Sequence, residues 1–264
     1  MEKIKENIPF ILLIIVMALF TLAFFVSETS FFKTEEISTY TFEEAVSMQV
    51  NNNTGDVKLA GNVTEYADEN DIKEAMTMES SNNFQFLPLD SQSDAGEDEL
   101  NKLLDGKGIL EGTGAAFIEA EQKHNINALY LISHALLETG HGQSELASGI
   151  EVEDTTYYNF FGIGAFDHDA IAEGSSYAQE ADWSTPDAAI TGGAEFIRTN
   201  YLDNGQNTLY RMRWNPENPG THLYATDIEW AEKIASIMNS YYNSLGLEYD
   251  ELETENYNND KQPD

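Results

Sequence analysis

Glu138 sits where a helical pattern meets a glycine turn, in Leu136-Leu137-Glu138-Thr139-Gly140-His141-Gly142. Upstream, Ala128, Leu131, Ile132, Ala135 and Leu136 recur three or four apart, which predicts a helix over 127–137, and Gly140 and Gly142 stop it. A carboxylate in the last turn faces the negative end of the helix dipole, which favours its protonated form, as does any apolar burial. A protonated carboxylic acid near neutral pH is what cleavage of a glycosidic bond requires. The same spacing also fits a surface glutamate that merely ends a helix, since perturbed acids mark functional sites only in a fraction of cases. His134 and Glu138 share a helix face at i, i+4, a spacing that metal ligands use. The order is not H-E-x-x-H and no further ligand stands nearby, so no metal is expected. Glycosidic cleavage also needs a group to stabilise a cationic sugar. Glu151, Glu153, Asp154, Asp167, Asp169 and Glu173 follow Glu138, but in so acidic a chain each reads better as a solvated surface group.

The elements around Glu138 read as mainly α, with loop and short-hairpin insertions. Helices are expected over 99–104 and 114–124. A third runs from the Thr185-Pro186-Asp187 cap to about Tyr201, and a last one opens at Asp227 and carries Trp230, Ile234, Ile237, Met238 and Tyr241. Residues 143–183, with Gly149, Gly162, Gly164 and Gly174, predict loops with a short hairpin and no long helix. Thr41 with Glu44 forms a capping-box pattern ahead of a short helix, and residues 71–78 predict a helical turn or two. Residues 27–97 read as a stalk plus a segment that packs on a catalytic domain over 98–246. The acidic tail, 247–264, reads as disordered.

Ile8 to Val26 is apolar except for Thr21, long enough to span a bilayer as a helix. A cleaved signal peptide is the competing reading, but no A-x-A pattern follows, which favours a retained anchor. Lys3 and Lys5 precede the run, which places residues 1–7 in the cytoplasm and the rest outside, as a single-pass protein of the cell membrane. The formal net charge is −34, which excludes nucleic acid and anionic lipid surfaces as electrostatic partners. There is no cysteine, so disulfides, thiol catalysis and cysteine-ligated metals are excluded.

Several stretches resemble the bacterial cell-wall endo-β-N-acetylglucosaminidases, a glycoside hydrolase family 73-like group of staphylococcal type with a lysozyme-like fold. They are residues 133–140 (SHALLETG), 158–165 (YNFFGIGA), 188–194 (AAITGGA), 210–216 (YRMRWNP) and 224–227 (YATD), in the family's order over roughly 100–245. The resemblance implies hydrolysis of peptidoglycan glycan strands after N-acetylglucosamine, without a cofactor, with Glu138 in the acid position. It also implies a tyrosine opposite the acid, for which Tyr210 is the best match and Tyr201 the rival. A groove lined by Tyr157, Tyr158, Asn159, Phe160, Trp183, Tyr201, Trp214 and Asn215 is expected, because sugar faces pack on aromatic rings and amides bond acetamido groups. Phe160 and Trp183 serve equally well as core. Gly162 and Gly164 let the backbone turn or approach a ligand. A lytic transglycosylase of similar fold and a catalytically silent wall-binding scaffold are the alternatives.

Overall fold

The computed structural model describes residues 38–52, 55–61, 63–78, 82–164 and 170–258. The expected cytoplasmic N-terminus and the apolar run Ile8 to Val26 lie outside these residues. No helix among the described residues is long and apolar enough to cross a membrane.

The architecture is mainly helical. Helix α1 (Phe42–Val50) precedes the antiparallel hairpin β1–β2 (Val57–Ala60 and Val63–Tyr66) and helix α2 (Glu69–Met76). Then come α3 (Glu97–Leu103), α4 (Gly114–His124), α5 (Ala128–Glu138) and the single turn α6 (Glu145–Ser148). The hairpin β3–β4 (Ile150–Val152 and Thr155–Tyr157) follows, then α7 (Ala170–Glu180), α8 (Pro186–Asn200), α9 (Leu209–Trp214) and α10 (Trp230–Leu245). Local chemistry sets most of the boundaries. Thr41 and Glu44 close the expected capping box on α1, and Asp68 and Asp71 close one on α2. Asn127 accepts the Tyr130 amide to start α5, and Thr185 caps α8 ahead of Pro186.

Helix α5 is the axis of the fold. Nine of its residues, Ala128 to Leu136, are buried, because α4 packs on one side and α10 on the other. Helix α8 in turn packs on α4. The pair Gly192-Gly193 lets α8 also take Trp183 and Phe161 against its surface: a Cβ at Gly192 would collide with Trp183, and one at Gly193 with Phe161. Burying large side chains such as Leu131 and Ile132 contributes about 1.5–3 kcal/mol each, so a helix enclosed on nearly every face is held far more firmly than its propensity alone would hold it.

Two expectations need correction. Residues 170–180 form a helix where loops were expected. Gly174 at its centre breaks the sequence pattern, but it is buried and its carbonyl accepts from Asn159 Nδ2 at 3.2 Å. That tertiary bond outweighs the roughly 1 kcal/mol cost of a mid-helix glycine. The tail is the second. Residues 248–258 do not trail away as disordered chain: Glu253 N–H donates to Phe86 O, Ser38 N–H to Asn256 O and Asn258 N–H to Tyr40 O. Tyr257 is 6% exposed, and Glu255 is buried against Arg211 at 2.5 Å. Residues 259–264 lie outside the described part. The described residues all belong to one unit that starts at Ser38, so the segment ahead of α3 is built into the same body as α5.

Candidate active site

Glu138 is the last residue of α5, and the chain turns away from it sharply. Gly140, His141 and Gly142 all take positive φ (55°, 62° and 76°), while Thr139 Oγ1 accepts the Gly142 amide at 2.7 Å. The turn leaves the Glu138 side chain 26% exposed at the floor of a groove of about 850 Å³. Phe161, Gly162, Ile163, Tyr177, Tyr201, His222, Tyr224, Asp227, Trp230 and Lys233 line the same groove.

The two carboxylate oxygens of Glu138 meet different surroundings. Oε1 accepts from Trp230 Nε1 at 2.9 Å and lies 3.5 Å from His134 Nε2. Oε2 faces Gly162, where an added Cβ would stand 3.0 Å from it. Gly162 has φ +66°, so both its conformation and its lack of a side chain are needed beside the acid. His134 is fully buried in an aromatic cage, with ring centroids at 4.8 Å to Tyr224, 5.2 Å to Trp230 and 5.4 Å to Phe161. Tyr130 Oη is 3.1 Å from its Nδ1.

Across the groove, Tyr224 stacks on Trp230 at 5.0 Å and packs on Tyr201 at 4.9 Å, and its hydroxyl donates to Phe161 O at 2.9 Å. Burial pushes the Tyr224 phenol well above its ordinary pKa, with Tyr130 and the Glu138 charge adding to the shift. Burial pushes Tyr201 up to about 12. Both therefore meet a substrate as neutral hydroxyls. Asp227 is the other carboxylate at the groove, and Lys233 Nζ holds it at 2.6 Å. Among the described residues no cluster of three His, Asp or Glu side chains is placed to hold a metal ion.

Of the residues expected from the sequence, the structure brings Glu138, Gly162, Gly164 and Tyr201 together at the groove. The others serve elsewhere. Tyr210 is 0% exposed, donates to Met76 O at 2.8 Å and meets Tyr257 Oη at 3.0 Å, so it cannot stand opposite the acid. Trp214 is equally buried beneath Arg213, and Asn215 caps the end of α9, donating to Thr221 O. Phe160 and Trp183 belong to the core. Tyr158 packs partly buried on Phe160, away from the groove lining. Asn159 is 2% exposed and ties a loop: its amide donates to Ile163 O and Gly174 O and accepts from Phe161 N and Ile163 N. That loop presents Gly162 to Glu138. Glu151, Glu153, Asp154 and Glu173 do not line the groove, and Asp167 and Asp169 lie outside the described residues.

Sequence reasoning missed Tyr224, Trp230, His222 and Asp227. Residues 224–227 match the family without a residue type that marks a role, and Trp230 shares the apolar spacing of α10 with Ile234 and Met238.

One wall of the groove is backed by the segment ahead of α3. Arg213 Nη2 pairs with Asp56 at 2.6 Å, with both side chains sealed from solvent, and Gln49 donates to the same carboxylate. The guanidinium also donates to Asp227 O and Thr226 O, while Val57 pairs with residues 226–228. Burial pulls the Arg213 pKa down and Asp56 opposes that pull.

The sequence profile described as mannosyl-glycoprotein endo-beta-N-acetylglucosaminidase matches residues 114–243. The bifunctional autolysin of Staphylococcus aureus strain MSSA476 is 49% identical over 193 residues, 68% of this chain and 15% of that protein, so the chain spans only a small part of such relatives. A crystal structure of a catalytic mutant of S. aureus autolysin E with the disaccharide NAG-NAM superposes with a TM-score of 0.78 at 46% identity. It covers 84% of this chain and 99% of that one. S. aureus glucosaminidase B is 38% identical with a TM-score of 0.65, over 86% of this chain and 96% of that one. With this helical body and an acid at its groove, the chain belongs to the glucosaminidase family and has its lysozyme-like fold.

Proposed function

We propose that the protein hydrolyses the β-1,4 bond that follows N-acetylglucosamine in peptidoglycan glycan strands, with Glu138 as general acid. The observation that carries this reading is the placement of Glu138. A carboxyl group ends a rigid buried helix, with one oxygen bound by Trp230 and the other open to an aromatic groove. The relatives named autolysins, and the autolysin E complex with NAG-NAM, supply the substrate class. In the reaction, Glu138 gives its proton to the glycosidic oxygen, the C1–O bond breaks with its electron pair going to that oxygen, and water adds at C1, releasing a proton that restores the Glu138 acid. Tyr201, held neutral, donates a hydrogen bond to water or to the acetamido group, while the Tyr224 hydroxyl, already donating to Phe161 O, accepts one from them. Tyr201 and Tyr224, partly exposed at the groove and backed by buried Trp230, present apolar surface to a sugar.

The apolar run Ile8 to Val26 supports a second part of the reading: a membrane anchor that leaves the groove on the wall side.

Mass spectrometry of muropeptides from digested, borohydride-reduced walls tests the reaction. Reduced N-acetylglucosamine ends are the expected product. Anhydro-muramic ends would make the protein a lytic transglycosylase, and unchanged strands a scaffold. Glu138→Gln should lower the rate by 10²–10⁴-fold or more, roughly the value of a positioned acid, with the fold intact.

A further inference from the structure

We infer that Trp230 and His134 are positioning residues that dedicate one Glu138 oxygen to the protein and leave the other, Oε2, to deliver the proton. This rests on the reading of Glu138 as the acid. A free carboxyl group offers two equivalent oxygens and rotates about its terminal torsion, so only part of its population points a proton at the bond to be cut. Here the equivalence is broken. Trp230 Nε1–H donates to Oε1 at 2.9 Å, and the buried Nε2 of His134 faces that same oxygen at 3.5 Å, with no hydrogen-bond partner of its own.

The orientation of His134 follows from its other side. Tyr130 has one hydroxyl proton and two neighbours, His134 Nδ1 at 3.1 Å and Met212 Sδ at 3.5 Å. Nitrogen is nearer and the better acceptor, so the phenol donates to Nδ1. The ring proton of His134 then sits on Nε2, the nitrogen 3.5 Å from Oε1. Burial holds the Tyr130 phenol well above its ordinary pKa, which keeps that proton in place. Two N–H groups thus converge on Oε1, which becomes the carbonyl-like oxygen of the acid. The proton is left to Oε2, beside Gly162 and the open groove. The 3.5 Å separation suits a ligand-free site, because catalytic hydrogen bonds are long before substrate closes them.

The test separates acid catalysis from mere packing. Trp230→Phe keeps a ring against Tyr224 and removes the donor, and a dinitrophenyl glycoside substrate reports any loss that comes from the smaller ring instead. His134→Leu removes the second donor, and His134→Gln restores an amide N–H at similar reach. Each variant is assayed on glycan strands and on the 2,4-dinitrophenyl glycoside of an N-acetylglucosamine oligomer, whose leaving group departs without a proton. Trp230→Phe and His134→Leu should lower kcat on strands about tenfold or more, with KM within about twofold. On the dinitrophenyl glycoside the loss should stay below about threefold, and His134→Gln should recover part of the activity on strands. Equal losses on both substrates, a change confined to KM, or no loss would overturn the inference. Circular dichroism reports the fold, and if His134→Leu does not fold, the conservative Trp230→Phe decides. Glu138→Gln measured alongside keeps the two readings apart. If it remains active on strands, the acid assignment fails. If it is inactive on strands while Trp230→Phe matches wild type, only the positioning role fails.

Discussion

Asp56→Ala should both destabilise the protein and loosen the groove. Asp56 and Arg213 are 1% and 0% exposed at their side chains and meet at 2.6 Å, so solvent does little to screen them. Removing one member of such a pair strands a buried charge, which costs about 3–5 kcal/mol. In a body of this size each kcal/mol moves Tm by about 2–4 °C, so the expected fall is about 6–20 °C. Arg213 also stacks on Trp214 at 3.9 Å and donates to the carbonyls of Thr226 and Asp227, so a displaced guanidinium shifts the groove wall. Activity at a temperature where the variant is folded should therefore fall as well. Replacing both partners, as Asp56→Leu with Arg213→Met, removes the stranded charge and should recover most of the Tm. It should not recover the activity, because the two wall carbonyls still lack their donor. Calorimetry and muropeptide release on the single and double variants decide. A Tm for Asp56→Ala within about 2 °C of wild type, less than a loss of 1 kcal/mol would give, would refute the reasoning.

Three further outcomes follow from the same geometry. Gly162→Ala forces a Cβ to 3.0 Å from Glu138 Oε2 at φ +66°; it should cost roughly 1–2 kcal/mol of stability and most of the activity, and near-normal turnover would show that the acid tolerates crowding there. Tyr224→Phe should lower kcat more than KM, while Tyr210→Phe should lower only Tm, since its hydroxyl serves Met76 O and Tyr257; the reverse result would return the catalytic tyrosine to Tyr210. Burial pushes Tyr201 and Tyr242 up to about 12 and holds Tyr130, Tyr210 and Tyr224 well above their ordinary value, so the unfolded chain releases these protons first, near pH 10. Their contribution to stability is complete below about pH 10 and is lost as pH rises toward the folded values, which phenolate absorbance should show as late, cooperative ionisation accompanying alkaline unfolding.

Helix existence was legible because capping and periodicity are local. Thr41 with Glu44, Asn127, and Thr185 with Pro186 each satisfy orphan amides at their own helix start, whatever the rest of the chain does. Helix α7 was not legible because its centre depends on Asn159, 15 residues away in sequence. The buried tail was hidden for a similar reason. An acidic, polar segment reads as solvated until Arg211 and Tyr210 are seen to receive Glu255 and Tyr257.

The place of Glu138 at a helix end was legible for a different reason from the groove around it. Glu138 is announced by its own neighbours, an apolar helix before it and three left-handed residues after it. An aromatic residue carries no such local mark: Tyr, Phe and Trp have the same types and spacing whether they line a groove or fill a core. Tyr210 and Tyr224 both fall in stretches that match the family, and only the fold separates them, one sealed against Met76 and the other stacked on Trp230. The stretch from Tyr210 to Asn215 nevertheless bears on the site through its structural work. Arg213 reaches back to Asp56 and forward to the carbonyls of Thr226 and Asp227, so residues that never line the groove fix the wall that does. In this fold a residue type can be required for catalysis at second hand, and its sequence pattern then looks the same as that of a residue that touches the sugar.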